Sequence, residues 1–76
     1  MYKLILELTW NGLSEDVEIY SPIIPRIGER LCIKLKEKQL EKLNVDDINE
    51  LIIDDIWYYF NTSNQLEHVY IYFKRH

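Results

Sequence analysis

Catalytic chemistry in this chain would have to start from Cys32 or from the histidines. Cys32 is the one cysteine, and it stands between Arg30 and Lys34, cationic neighbours of the kind that lower a thiol pKa. No histidine is near it in sequence to act as a base, so a strand position makes it a passive, reduced thiol. His68 alternates with Tyr70 and Tyr72, and its position fits a surface residue as well as any other role. One cysteine excludes an intrachain disulfide and a cysteine-based zinc cage, and the two histidines lack metal-ligand spacing. A chain of 76 residues also has little volume for a pocket of ~300 Å³ or more. The expectation is a protein that is not an enzyme and holds no cofactor or metal.

Three other groups of residues could bind rather than react. Trp57, Tyr58, Tyr59, Tyr70 and Tyr72 supply stiff contact area with polar tips, the composition of interaction hot spots. Their bland reading is packing, either under a covering segment or as cross-strand pairs. Arg26, Arg30, Lys34, Lys36 and Lys38 form a locally basic stretch, which Lys74, Arg75 and His76 could extend. Basic residues beside stacking aromatics hold single-stranded nucleic acid. The net charge of −4 opposes a polyanion, and charged strand edges explain the same residues without a ligand. Asp46, Asp47, Glu50, Asp54 and Asp55 form an acidic run without the loop spacing or turn glycine of a calcium loop. Complementing a helix dipole is the plain reading of the run. Mimicry of a polyanion, as in acidic inhibitor or immunity proteins, is the functional alternative.

Positioning these groups falls to a set of short strands. Residues 2 to 10 alternate, with Tyr2, Leu4, Leu6, Leu8 and Trp10 on one face and Lys3, Ile5, Glu7 and Thr9 on the other. Asn11-Gly12 suits a two-residue type I′ turn. That turn pairs Trp10 with Leu13, Leu8 with Glu15, Leu6 with Val17 and Leu4 with Ile19, so turn chemistry and apolar pattern agree. Pro22 and Pro25 exclude a central strand across residues 21 to 25. Arg30 to Leu35 alternate again and predict a third strand, with Leu31, Ile33 and Leu35 inward. Helix formers begin at Lys36, and Ile48, Leu51 and Ile52 follow at helical spacing. Short helical structure is therefore expected over 36–52, with Asn44 capping a second turn. Residues 53–60 and 66–74 are β-rich and flank the polar turn Asn61 to Gln65. Val69, Ile71 and Phe73 face the core. For 53–60 the parity stays open, because Ile56/Tyr58/Phe60 and Ile53/Trp57/Tyr59 both look buriable.

The order β-β-β-α-β-β predicts one mainly β domain over residues 1–76, a small five-stranded antiparallel SH3-like barrel or bent sheet with a helical insertion. A helix on an open antiparallel sheet is the other architecture considered. The element Ile24-Pro25-Arg26-Ile27-Gly28-Glu29-Arg30-Leu31, followed late in the chain by Ile53-Asp54-Asp55-Ile56-Trp57, resembles a pattern in small uncharacterised bacterial proteins. In those, I-P-R-x-G-[ED]-x-[VLI] leads into a barrel strand and V-x-x-[VI]-x-[WH] into the closing hairpin. The resemblance implies the SH3-like fold type and carries over no catalytic residue and no activity.

Neither a signal sequence nor an apolar run of about 18 residues is visible, so a cytoplasmic protein is expected. The functional expectation is a protein-interaction or accessory module working through its aromatic face, with a protein partner or a second copy on it. The alternatives are a nucleic-acid-associated barrel using the basic stretch and an acidic inhibitor-type protein. One core cannot absorb both the aliphatic faces and the five aromatics. The surplus must finish its burial against the insertion or against another chain.

Overall fold

The computed structural model describes residues 1–46, 48 and 50–74. β1 (Tyr2–Trp10) and β2 (Leu13–Ser21) form the hairpin in the expected register, Trp10 opposite Leu13 and Leu4 opposite Ile19. Asn11 and Gly12 have φ of 52° and 78°, the positive values that a type I′ turn demands of both central residues. β3 (Arg30–Leu31), α1 (Glu37–Leu43), β4 (Leu51–Phe60) and β5 (Leu66–Phe73) complete the chain. The sheet order is β2-β1-β5-β4-β3, a mainly β sheet curled into a half-barrel.

The sheet is mixed, which corrects the all-antiparallel expectation. β1 runs parallel to β5, with Leu4 opposite Val69 and Leu6 opposite Ile71. The hairpin of β4 and β5 thus lies beside β1 with β5 inward, and the intervening 24–50 segment crosses over the sheet. Leu4, Leu6 and Leu8 of β1, Val17 of β2, and Val69 and Ile71 of β5 are buried on the covered face. Leu43, Ile48, Leu51 and Ile53 close over them.

Three expectations for the crossing segment need correction. The third strand shrinks from residues 30–35 to Arg30–Leu31, paired with Ile52 and Leu51. Its alternation survives nonetheless: Leu31, Ile33 and Leu35 pack against the core while Arg30, Cys32 and Lys34 are exposed. Side-chain burial follows the pattern of the chain itself, whereas a ladder needs a neighbour's backbone. The helix covers seven residues rather than 36–52. Asn44 ends it instead of starting a second turn. It adopts the left-handed conformation at φ 54°, and the N–H groups of Asn44 and Val45 close onto the carbonyls of Glu41 and Leu40, which terminates a helix as a left-handed residue does. Asp46 and Glu50 consequently complement no helix dipole, and Asp47 lies outside the described residues.

At the start of α1, Gln39 Oε1 accepts the N–H of Lys36 at 2.9 Å, satisfying a donor ahead of the first turn. Leu43 then pins the helix to the core, and Lys42 meets Glu15 of β2 at 3.5 Å. Because Glu15 shares its face with Leu8 and Val17, α1 lies on the covered side of the sheet. Leu43→Ala should cost about 2–5 kcal/mol, the usual penalty for emptying a fully buried leucine site. Urea unfolding measures this as a lowered midpoint at unchanged slope.

Candidate functional site: an uncovered aromatic sheet face

A residue's parity decides its face, and one irregularity decides the parity of β4. Ile53 lies opposite Phe73 and Asp55 opposite Tyr72, so Asp54 is an extra residue in the ladder. Such a bulge shifts the alternation of everything beyond it. Ile53 and Ile56 both face the core, and Asp55, Trp57 and Tyr59 turn to the other side with His68, Tyr70 and Tyr72 of β5. The ambiguity of 53–60 is resolved by this one residue: Ile53 of one set faces inward before Asp54, Ile56 and Tyr58 of the other lie on the core side after it, and Trp57 and Tyr59 are turned outward.

Four of the five expected aromatics therefore meet on the uncovered face. Trp57 is 55% and Tyr59 39% exposed, and Tyr70 and Tyr72 are half-buried. Tyr58 does not join them. It pairs with Val69 on the core side, beyond the reach of the covering segment, and remains 52% exposed. His68 takes its place in the set. Its ring stacks on Tyr59 with centroids 4.8 Å apart, Tyr70 meets Tyr59 edge-on at 5.6 Å, and Tyr72 stacks on Tyr70 at 5.9 Å. These are the offset and edge-on arrangements that ring quadrupoles favour. The reading in which the tyrosines pack beneath the 36–52 insertion is overturned, because α1 covers the opposite face. The cross-strand pairing reading holds.

Carboxylates hold the ring array in place. Trp57 Nε1–H donates to Asp55 Oδ2 at 2.7 Å, and Asp55 Oδ1 accepts the backbone N–H of Ile56 at 2.9 Å. Tyr70 O–H reaches across β1 to Asp16 Oδ2 of β2 at 3.1 Å. That donation, followed by the charge of Asp16, raises the Tyr70 phenol above its ordinary value. Burial raises Tyr72 in the same direction, with Tyr59, Glu7, Asp16 and Asp55 adding to it. Across β1 and β2 the same face carries Glu7, Asp16 and Glu18, with Lys3 tied to Glu18 at 3.1 Å. The aromatic face is thus also the acidic one.

Among the described residues three depressions adjoin it, one of them about 440 Å³ beside Lys3, Tyr20 and His68. Another of about 320 Å³ is bordered by Asp54, Asp55, Trp57, Tyr59 and Tyr72. A further one, about 480 Å³, lies at the end of the sheet among Trp10, Ile48, Leu51, Asp54, Phe73 and Lys74. Its size exceeds the scale for which so short a chain is expected to have little volume. Its lining includes neither histidine nor cysteine. Among the described residues no three His, Cys, Asp or Glu side chains converge.

The basic residues are elsewhere. Arg26, Arg30, Lys34, Lys36 and Lys38 are all exposed on the crossing segment, and Arg30 pairs with Glu50 at 3.1 Å. No aromatic residue occurs between Tyr20 and Trp57. None of the five basic residues borders the depression beside Trp57, and Arg30, opposite Ile52 in the β3–β4 ladder, is on the face away from Leu51 and Ile53 at the far edge of the sheet. Lys74 is exposed beside the larger depression, while Arg75 and His76 lie outside the described residues. Cys32 is free and exposed. Among the described residues no helix is long and apolar enough to cross a membrane.

The accessible surface is 5708 Å², about 700 Å² above the roughly 5,000 Å² expected of a folded monomer of this mass. A sheet covered on one side only accounts for an excess of this sign. No protein-family model matches the chain, and no curated protein and no solved structure does so either.

The bond between Tyr70 and Asp16 has a pH signature. A phenol whose folded-state pKa is raised contributes stability that is complete below its unfolded pKa of about 10 and is lost as pH rises through the folded-state value. The thermal midpoint of the wild-type protein should therefore fall as pH rises above about 10. Tyr70→Phe, which cannot ionise there, should show a shallower fall. Equal slopes for the two proteins would contradict the assignment.

Proposed function

We propose that this chain is a protein-interaction module whose working surface is the uncovered sheet face around Trp57, Tyr59, Tyr70 and Tyr72, and that its partner presents a basic patch. It acts by binding and not by catalysis. The observation that carries the reading is the pre-organised ring array on a face with no cover of its own. Rings already held by stacking and by carboxylates lose little freedom on association, so more of the contact energy becomes affinity. Large aromatic side chains at the centre of a patch are also where interface energy concentrates.

Charge selects the class of partner. On this face Glu7, Asp16, Glu18 and Asp55 surround the rings, and among the described residues of β1, β2, β4 and β5 Lys3 is the one cation beside them. A second copy docked through the same face in a two-fold contact would bring this negative patch against itself. A basic protein surface meets complementary charge instead, gaining rate and specificity from it. In this reading the positive residues of the crossing segment are a solvated surface and not the binding site.

Affinity capture from the native cell, repeated with variants that keep the native circular dichroism spectrum, tests the proposal. A partner held by the wild-type chain should bind Tyr72→Glu at least about tenfold more weakly, the loss expected at a hot spot. It should bind the Arg30→Glu/Lys34→Glu double variant as before, and its affinity should fall with added salt. A partner indifferent to Tyr72→Glu and lost by the double variant would move the binding surface to the basic stretch.

A further inference from the structure

We infer that the depression bordered by Asp54, Asp55, Trp57, Tyr59 and Tyr72 receives one arginine side chain of a partner protein. The inference rests on the reading of the uncovered face as a binding surface and names what that surface recognises at its acidic end. The bulge in β4 creates the site. By inserting Asp54 it sets two consecutive carboxylates beside rings from two strands. Among the described residues no lysine or arginine pairs with either carboxylate, and Lys74 lies along the neighbouring depression.

The geometry answers the needs of a flat organic cation. Asp55 holds the Trp57 indole by its Nε1–H at 2.7 Å, which fixes the ring and leaves the π-face of an indole, the strongest cation acceptor among side chains, free for contact. Tyr59 and Tyr72 add two further rings, each held against Tyr70. Among the described residues Asp54 has no hydrogen-bond partner to displace, and each Asp55 oxygen accepts one bond and retains a second lone pair. A guanidinium can stack on an aromatic ring and donate in its plane to carboxylates at the same time. The compact, strongly hydrated ammonium of lysine has no flat face for stacking.

The probe is a blocked Gly-Gly-Arg-Gly-Gly peptide titrated into the intact protein, read by the ¹⁵N–¹H indole signal of Trp57. The lysine and citrulline peptides serve as comparisons. The arginine peptide should shift the signal saturably, the lysine peptide should bind more weakly, and neutral citrulline should leave it in place. Asp55→Asn keeps an oxygen for the indole while removing the charge, so it should weaken the arginine peptide about two- to fivefold, the scale of one partly exposed charge. An unmoved indole signal, an equal response to citrulline, or lysine binding as tightly as arginine would overturn the inference. If the peptide fails while a captured partner still depends on Tyr72, the arginine site is lost and the broader binding face stands.

Discussion

β1 is paired on both edges, antiparallel to β2 and parallel to β5, and its period-two alternation therefore divides the whole sheet into two faces. Leu4, Leu6 and Leu8 commit one face to burial. A slip of a single residue between β1 and β5 would set Tyr70 and Tyr72 on the face of the leucines and turn Val69 and Ile71 out. Among the described residues one segment, within 24–50, covers the sheet, and its buried side chains go to the leucine face. The other face is left to the solvent with Trp57, Tyr59, His68, Tyr70 and Tyr72 upon it. The division of labour between the faces follows from having one cover for a two-sided sheet.

The same constraint explains how charge is distributed. In the crossing segment, lysine and arginine occupy exposed positions, and Leu31, Ile33, Leu35 and Leu43 pack against the core. On the open side, the carboxylates are structural as well as electrostatic. Asp16 receives Tyr70 and Asp55 receives Trp57. Removing such an acceptor would free a ring as well as a charge. The surface ion pairs Lys3–Glu18 and Arg30–Glu50 are exposed, and exposed pairs of this kind contribute little to stability. Order on the open face depends on the rings and their hydrogen bonds.

Much of this was legible in the amino-acid order, and the parts that were not have identifiable causes. The β1–β2 register followed from Asn11-Gly12 and two matching alternations, because a hairpin is a local object. The inward set Leu4, Leu6, Leu8, Val17, Val69 and Ile71 was readable for the same reason. The parallel β1–β5 pairing was not, since it joins residues more than sixty positions apart and depends on how the 24–50 segment crosses. Residues 32–35 show the converse case: their alternation predicts burial, but a strand requires a partner that the curled sheet does not offer. For the site, the aromatic residues were visible by type, but their grouping depended on the extra residue Asp54, which no periodicity announces. Tyr58 consequently falls out of the group, and His68, Asp16 and Asp55 enter it.

The central claim is that the free protein leaves its aromatic face open. Solvent paramagnetic relaxation enhancement with a neutral, soluble gadolinium chelate tests it most directly, by comparing ring protons with core methyl groups in one sample. The account predicts strong enhancement at Trp57 and Tyr59, intermediate enhancement at Tyr70 and Tyr72, and almost none at the methyl groups of Leu4, Leu6 and Val69. Ring protons as protected as those methyl groups would mean that the face is already covered, and would contradict it.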